Sequence, residues 1–490
     1  MQALLSPLLV AALAASPAGE VALPLELDVA GGTRTVSLAL ERAQVEVRIE
    51  RRGKPRLRAR LLPSADAAAP APVLEVEQGR SSLVLRRPPV GDDPEAPRIA
   101  VELVLDPRQQ LELRGRELGV RISASGGRRG RAEKPAGDAP ATEAALPAID
   151  ELPPPALTLQ LAASELDLDG LDAGSGRLDL RAEDSTITLR RTRGPLLLEV
   201  RGGSLDGEDH DGLAMLTAAG AEVRLAGYRG PLAFTTRGGR LGLVERGDGV
   251  IEGRAEGGGV ALDGWTGRAT LEGSGAQIDV AGGEQVELRV RGKGLDVTAD
   301  RLQGSIEAEL TGGRLHGARL AGKIEISARA QAAIDLSDLG ERLDLILVDE
   351  ASARVTDLDG WLEARLDGAG LEVDGARHLT VRGERATVVA DRIPRLETVS
   401  LRDSRVELDL TLSEQDLAVA LKGASSGRIR LAMPCIAAVA ADRDTLDSRV
   451  HVAGCALASR NNPILARDPE TVRLVVSVDK DGELDVEGVP

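Results

Sequence analysis

A glycine-anchored beat of about 18 residues is the feature that most restricts what this chain can become. Gly194, Gly212, Gly230, Gly249, Gly267, Gly304 and Gly322 carry it, with Glu284 holding the same place once. Two residues after most anchors an apolar pair begins at i and i+2: Leu196/Leu198, Leu232/Phe234, Val286/Leu288 and Ile324/Ile326. A second pair stands eleven residues after the anchor, at Val223/Leu225, Leu241/Leu243, Val260/Leu262, Ile278/Val280 and Leu295/Val297. Such pairs belong to strands, because successive strand side chains point to opposite faces. Arg224, Asp279 and Asp296, between pair members, then face water.

A unit this short cannot bury its own apolar row, so units must stack and share one continuous core. Residues 156–432 are therefore predicted to form an all-β, single-stranded β-solenoid, a right-handed β-helix with about 18 residues per coil. Glycines between the strands supply the tight corners. Composition agrees: a thin core of aliphatic rows needs few large rings, and the chain has only Tyr228, Phe234, Trp265 and Trp361. The same scarcity argues against an outer-membrane barrel, which carries aromatic girdles. After Gly340, through "ERLDLILVDEASARVTDLDGWLEARLDGAGLEVDG", strands persist but the interval loosens.

The flanks read as caps over open coil edges. Residues 21–125 alternate as short strands ("VSLAL", "VEVRIE", "RIAVELVL"), an N-terminal β-rich domain. Residues 126–155 form a flexible linker rich in Pro, Gly and charge, and its Arg128, Arg129 and Arg131 are solvated. Residues 433–490 form a small C-terminal cap, with a short helix in "MPCIAAVAADRDTLDS" and a closing hairpin around Asp481-Gly482. Cys435 and Cys455, the only cysteines, either pair to staple that cap or remain buried thiols.

Residues 1–18 read as an export signal: an apolar run from Leu4 to Ala14 precedes the small residues Ser16 and Ala18. No cysteine follows the run, which disfavours a lipid anchor, and no other uncharged apolar stretch is long enough to span a bilayer. The net charge of −17 disfavours nucleic acid as a partner, since phosphate binding needs a basic face.

The repeats "RGPLLLEVRGGSLDG", "RGPLAFTTRGGRLGLVERGDG" and "LQGSIEAELTGGRLHG" resemble the DUF4097 family, bacterial exported proteins often labelled putative adhesins. The resemblance covers Leu157 to Leu336 and implies a β-helical repeat. It brings no catalytic or binding motif with it.

Chemistry-bearing motifs are sparse. "GGSLDGEDH", "GGRLGLVER" and "GGGVALDGW" lack the third glycine of a calcium-binding β-roll, and "DGEDHDG" reads as a solvated turn. "GASSG" matches a nucleophile elbow at Ser425, but "RIRLAM" follows it as a strand where that motif needs a helix. His210, His316, His378 and His451 share no spacing. No catalytic residue, metal site or cofactor is expected. Trp265 and Trp361, beside coil glycines, either present sugar-stacking platforms or cover a corner of the thin core. The expectation is a non-enzymatic exported solenoid, in the periplasm, at the cell surface or secreted. It would act as a structural or adhesin-like surface-interaction module for an unknown envelope protein or glycan. Two alternatives stand: a polysaccharide-active β-helix enzyme with outward carboxylates, and a lipid-transfer protein of the AsmA/TamB kind, which needs a continuous apolar trough.

Overall fold

The computed structural model describes residues 19–29, 32–50, 54–62, 73–88, 98–125, 147, 151–173, 176–244, 248–410, 417–440, 449–458 and 472–489. The expected export signal at 1–18 and nearly all of the expected linker, with its three arginines, lie outside the described residues. Among the described residues the chain is almost entirely strand, wound into coils of two strands whose parallel neighbours come from the coils before and after. It divides into two compact units, 1–252 and 253–490.

In the first unit, Pro155–Ala162, Arg177–Glu183, Leu196–Arg201, Ala214–Ala219 and Leu232–Arg237 make one parallel sheet. Glu165–Asp169, Thr186–Arg190, Ser204–Glu208, Glu222–Ala226 and Arg240–Val244 make the other. Leu178, Leu196, Ala214 and Leu232 stand in register, the last three 18 residues apart, as the glycine beat requires. Alternate residues point inward and are buried, including every apolar pair named above in this unit. Each fully buried Leu or Val in these rows contributes about 2 kcal/mol relative to exposure. The tight corner between the two strands of a coil places one or two residues in the left-handed region: Ala163, Asp184, Gly202 with Gly203, Gly220, and Gly238 with Gly239 in turn.

The expected N-terminal cap is built on the same two sheets. Gln110–Arg116 lies beside Pro155–Ala162, and Gly119–Ser125 beside Glu165–Asp169. Next come Thr35–Glu41 and Ala43–Glu50, then Ser82–Arg86 and Ile99–Leu105, all parallel. The coil made by residues 35–50 thus sits between coils made by later residues. Antiparallel strands finish the stack: Arg56–Leu61 on Ile99–Leu105, and Val73–Gln78 on Ser82–Arg86. Leu25–Asp28 and Gly19–Ala22 lie outermost.

The second unit keeps the same coil. Ile306, Ile324, Leu343, Leu362, Leu379 and Leu396 form one buried in-register column with spacings of 18, 19, 19, 17 and 17. The interval that blurs after Gly340 in the sequence therefore does not interrupt the stack. Single-residue differences are absorbed at corners and at bulges within the ladder, such as the register shift between Leu379 and Thr380 opposite Leu396 and Thr398. One continuous extended run, Val286–Ala321, supplies strands to two successive coils.

The C-terminal end corrects one expectation, the hairpin, and narrows another: of the segment 433–448 expected to hold a short helix, 441–448 lie outside the described residues and Arg449, just after them, is helical. Cys435–Ala440 is a strand rather than a helix, because its backbone pairs with Val472–Val478. Val472–Val478 and Glu483–Val489 are not a hairpin. They pair in parallel with Leu417–Lys422 and Ser426–Ala432 respectively, so the turn at 479–482 is a coil corner. The chain runs out to Cys435–Ala440 and Val450–Ala453, then returns between those strands and the earlier coil. Cys435 and Cys455 are joined by a disulfide with Cα atoms 4.9 Å apart, just before the register pair Ile436 and Ala456.

Candidate functional site

One corner column stacks three buried polar side chains. Thr192, His210 and Tyr228 precede Gly194, Gly212 and Gly230 by two residues, and all three point inward and are buried. Thr192 Oγ1 lies 2.9 Å from His210 Nδ1, and the His210 and Tyr228 rings are 5.3 Å apart. Tyr228 donates its hydroxyl hydrogen to the carbonyls of Gly212 and Pro231, at 2.8 and 2.6 Å. Burial pushes His210 down to about 4 and Tyr228 far above its usual range. With no opening to solvent, this column packs and orders the corner and has no substrate to act on.

Trp265 belongs to the same kind of corner position in the second unit, two residues before Gly267, and is 1% exposed. Of the two readings of Trp265, the corner of the thin core is therefore the one observed, and the surface-contact reading is overturned. "DGWTG" looks like an exposed turn, but the corner residue faces the core and a large ring fills it. The alternation of strand residues does not reveal this column. Its signal is the constant distance from the anchor glycine, which also marks buried Leu302 and Leu320.

Other candidates are tied into structure. Ser425 is buried; its hydroxyl donates to the Lys422 carbonyl at 2.6 Å and accepts from the Ser404 amide at 3.2 Å. Asp206, in "DGEDHDG", pairs with Arg224 of the next coil at 3.2 Å. On the outer face of one sheet in the second unit, Glu372, Asp374, Asp391, Glu407 and Asp409 gather, and burial together with those neighbours raises Asp391. Arg392 holds Asp374 at 2.5 Å and Arg430 holds Asp409 at 3.2 Å, so most of the cluster serves inter-coil ion pairs. Among the described residues no three His, Cys, Asp or Glu groups are placed to hold a metal ion, and no helix is long and apolar enough to cross a membrane. A recess of about 1120 Å³ in the first unit is lined by the charged ladder Glu26, Arg58, Glu102, Glu46, Arg121 and Asp167 together with apolar groups such as Pro24, Leu62 and Ala100.

The feature left over is Trp361. It is 50% exposed, whereas Tyr228, Phe234 and Trp265 are all buried. It stands on the outer face of the sheet, in register with Arg342 of the previous coil and His378 of the next. Its indole stacks on the His378 imidazole, with centroids 3.8 Å apart and planes within 3°. His378 Nδ1 lies 3.2 Å from Glu397 Oε1, which fixes the imidazole beneath the indole. Along the same strand Glu363, Arg365 and Asp367 point to the same side. Beside them a groove of about 430 Å³ is lined by Ile346, Arg365, Arg382, Arg402 and Lys422 among others. Ile346 is 44% exposed, a second apolar group on this face. An oriented exposed ring next to charged and apolar groups is suited to contact rather than catalysis.

No protein-family model, no curated protein and no solved structure matches this chain.

Proposed function

We propose that the protein is an exported, non-enzymatic β-solenoid that serves as a structural or adhesin-like surface-interaction module of a bacterial envelope. Membership of the DUF4097 family is part of this reading. Its support is one observation: the single exposed Trp, Tyr or Phe ring among the described residues is stacked on an imidazole that Glu397 holds in place. Burying a large ring is favourable, and three of the four aromatic residues follow that rule. Holding the fourth outside, backed by an ordered imidazole, is what a contact surface requires.

The experiment is fractionation of cells making the native protein, followed by binding of the purified protein to isolated envelopes. The reading predicts a protein outside the cytoplasm that binds envelopes, with binding about tenfold weaker in Trp361→Ala. A cytoplasmic protein, or one indifferent to Trp361, would contradict it.

A further inference from the structure

We propose that the Trp361 face binds an acidic polysaccharide, its indole stacking on a sugar ring while Arg382, Arg402 and Lys422 meet carboxylates further along the chain. The inference rests on the reading of this face as a contact surface and adds the chemical class of its partner.

Charge on the face is unevenly paired. Asp344 is held by Arg342 at 2.9 Å, and Glu363 by Arg342 and Arg365, each at 3.3 Å. Asp367 is held by Arg385, and Glu397 lies against His378. Arg382, Arg395, Arg402 and Lys422 have no ion-pair partner among the described residues. Among the described residues Glu384, in register with Arg402, is not bridged to it, and Asp403 and Asp479, at the corner beside Arg402 and Lys422, accept the backbone amides of Ala424 and Gly423 rather than pairing with a cation. Among the described residues four cations without an ion pair thus stand on this face against three such carboxylates, two of them tied to backbone amides at its far corner. The chain's net charge of −17 acts at long range, but salt screens it over about 8 Å, and within that distance the local cations prevail.

The arrangement favours a long ligand over a small anion. Arg395 adjoins His378 in register, while Arg402 and Lys422 stand in register with each other near the far end of the strands. Trp361 and Asp367 are six residues apart on one strand, so the face extends about 20 Å along it. A peptide that adds as a strand needs a sheet edge. Here every strand under the patch is paired on both sides, so the surface offers side chains alone. A sugar ring, with one C–H-rich face for the indole and carboxylates at its rim, matches those side chains.

The test uses the full chain with four probes: polygalacturonate, dextran of equal length, poly-glutamate and a single-stranded oligonucleotide. Polygalacturonate is expected to bind, and to bind less as ionic strength rises from about 0.05 to about 0.5 M. Trp361→Ala should weaken it about tenfold, and the Arg402→Gln/Lys422→Gln double variant should weaken it similarly while flattening the salt dependence. These positions are on the surface, and unchanged thermal unfolding shows that the variants fold. Equal binding of dextran, preference for poly-glutamate or the oligonucleotide, or parent-like binding by the double variant would overturn the proposal. Failure of polygalacturonate with Trp361-dependent envelope binding intact overturns the acidic-glycan assignment alone. Loss of both overturns the contact surface itself.

Discussion

A Cβ placed on Gly212 would lie 2.7 Å from the carbonyl oxygen of Gly194, one coil earlier. Gly230 stands against Gly212 in the same way, and Gly249 against Gly230, each at 2.6 Å. The repeated glycine is therefore a stacked column in which each backbone passes too close to its neighbour for any side chain. Gly212 also holds φ near +144°, which side chains rarely adopt.

Gly212→Ala should accordingly destabilise the protein by more than about 2 kcal/mol, combining backbone strain with a backbone clash. Gly220 is the comparison: its φ is +61°, but nothing lies within 4 Å of an added Cβ. Gly220→Ala should cost only about 1 kcal/mol, the left-handed strain alone. Denaturant midpoints of the two variants check the order.

His210 makes stability depend on pH in a defined window. Its folded pKa is about 4 against an ordinary 6.5, because burial disfavours the charged ring. The unfolded chain therefore takes up a proton first as pH falls. This contribution is complete above pH 6.5 and is lost progressively toward pH 4, for a total of about 3 kcal/mol. Urea midpoints measured across that range should fall more steeply for the parent than for His210→Gln.

The two tryptophans should separate cleanly. Trp265→Ala empties a buried corner and should cost about 3–5 kcal/mol. Trp361→Ala removes an exposed ring and should stay within about 0.5 kcal/mol. Trp361→Phe should leave a blue-shifted emission shielded from iodide, and Trp265→Phe a red-shifted, quenchable one.

Cys455→Ser should release the outermost C-terminal coil. The disulfide closes a separation of 20 residues, and its loss should cost on the order of 3 kcal/mol. Limited proteolysis should then cut first within 435–458, and thiol titration of the native parent should find no free cysteine until it is reduced.

The repeating part of the fold is legible because local rules and stacking agree. Val223 and Leu225 flank Arg224, Ile278 and Val280 flank Asp279, and the structure buries all four apolar residues. The ends are not legible for a physical reason: Thr35–Glu41 lies next to Gln110–Arg116, so the pairing crosses hairpins and inserted residues that erase any fixed interval. The same holds for Leu417–Lys422 beside Val472–Val478. Trp361 was visible as one of two candidates, but its stacking partner was not, because His378 reaches it only across neighbouring strands.

The central claim is that parallel strands about 18 residues apart in sequence lie one layer apart in space. Spin labels test it most directly within the first unit, where Gln160, Arg181, Glu199, Thr217 and Thr235 occupy successive coils in register. Pulsed dipolar distances from Gln160 should be about 15 Å to Thr217 and about 19 Å to Thr235, rising by about 4.8 Å per coil, broadened by the label arms. Distances that fail to rise with each coil, or that exceed about 40 Å for residues so far apart in sequence, would contradict the stacked coil.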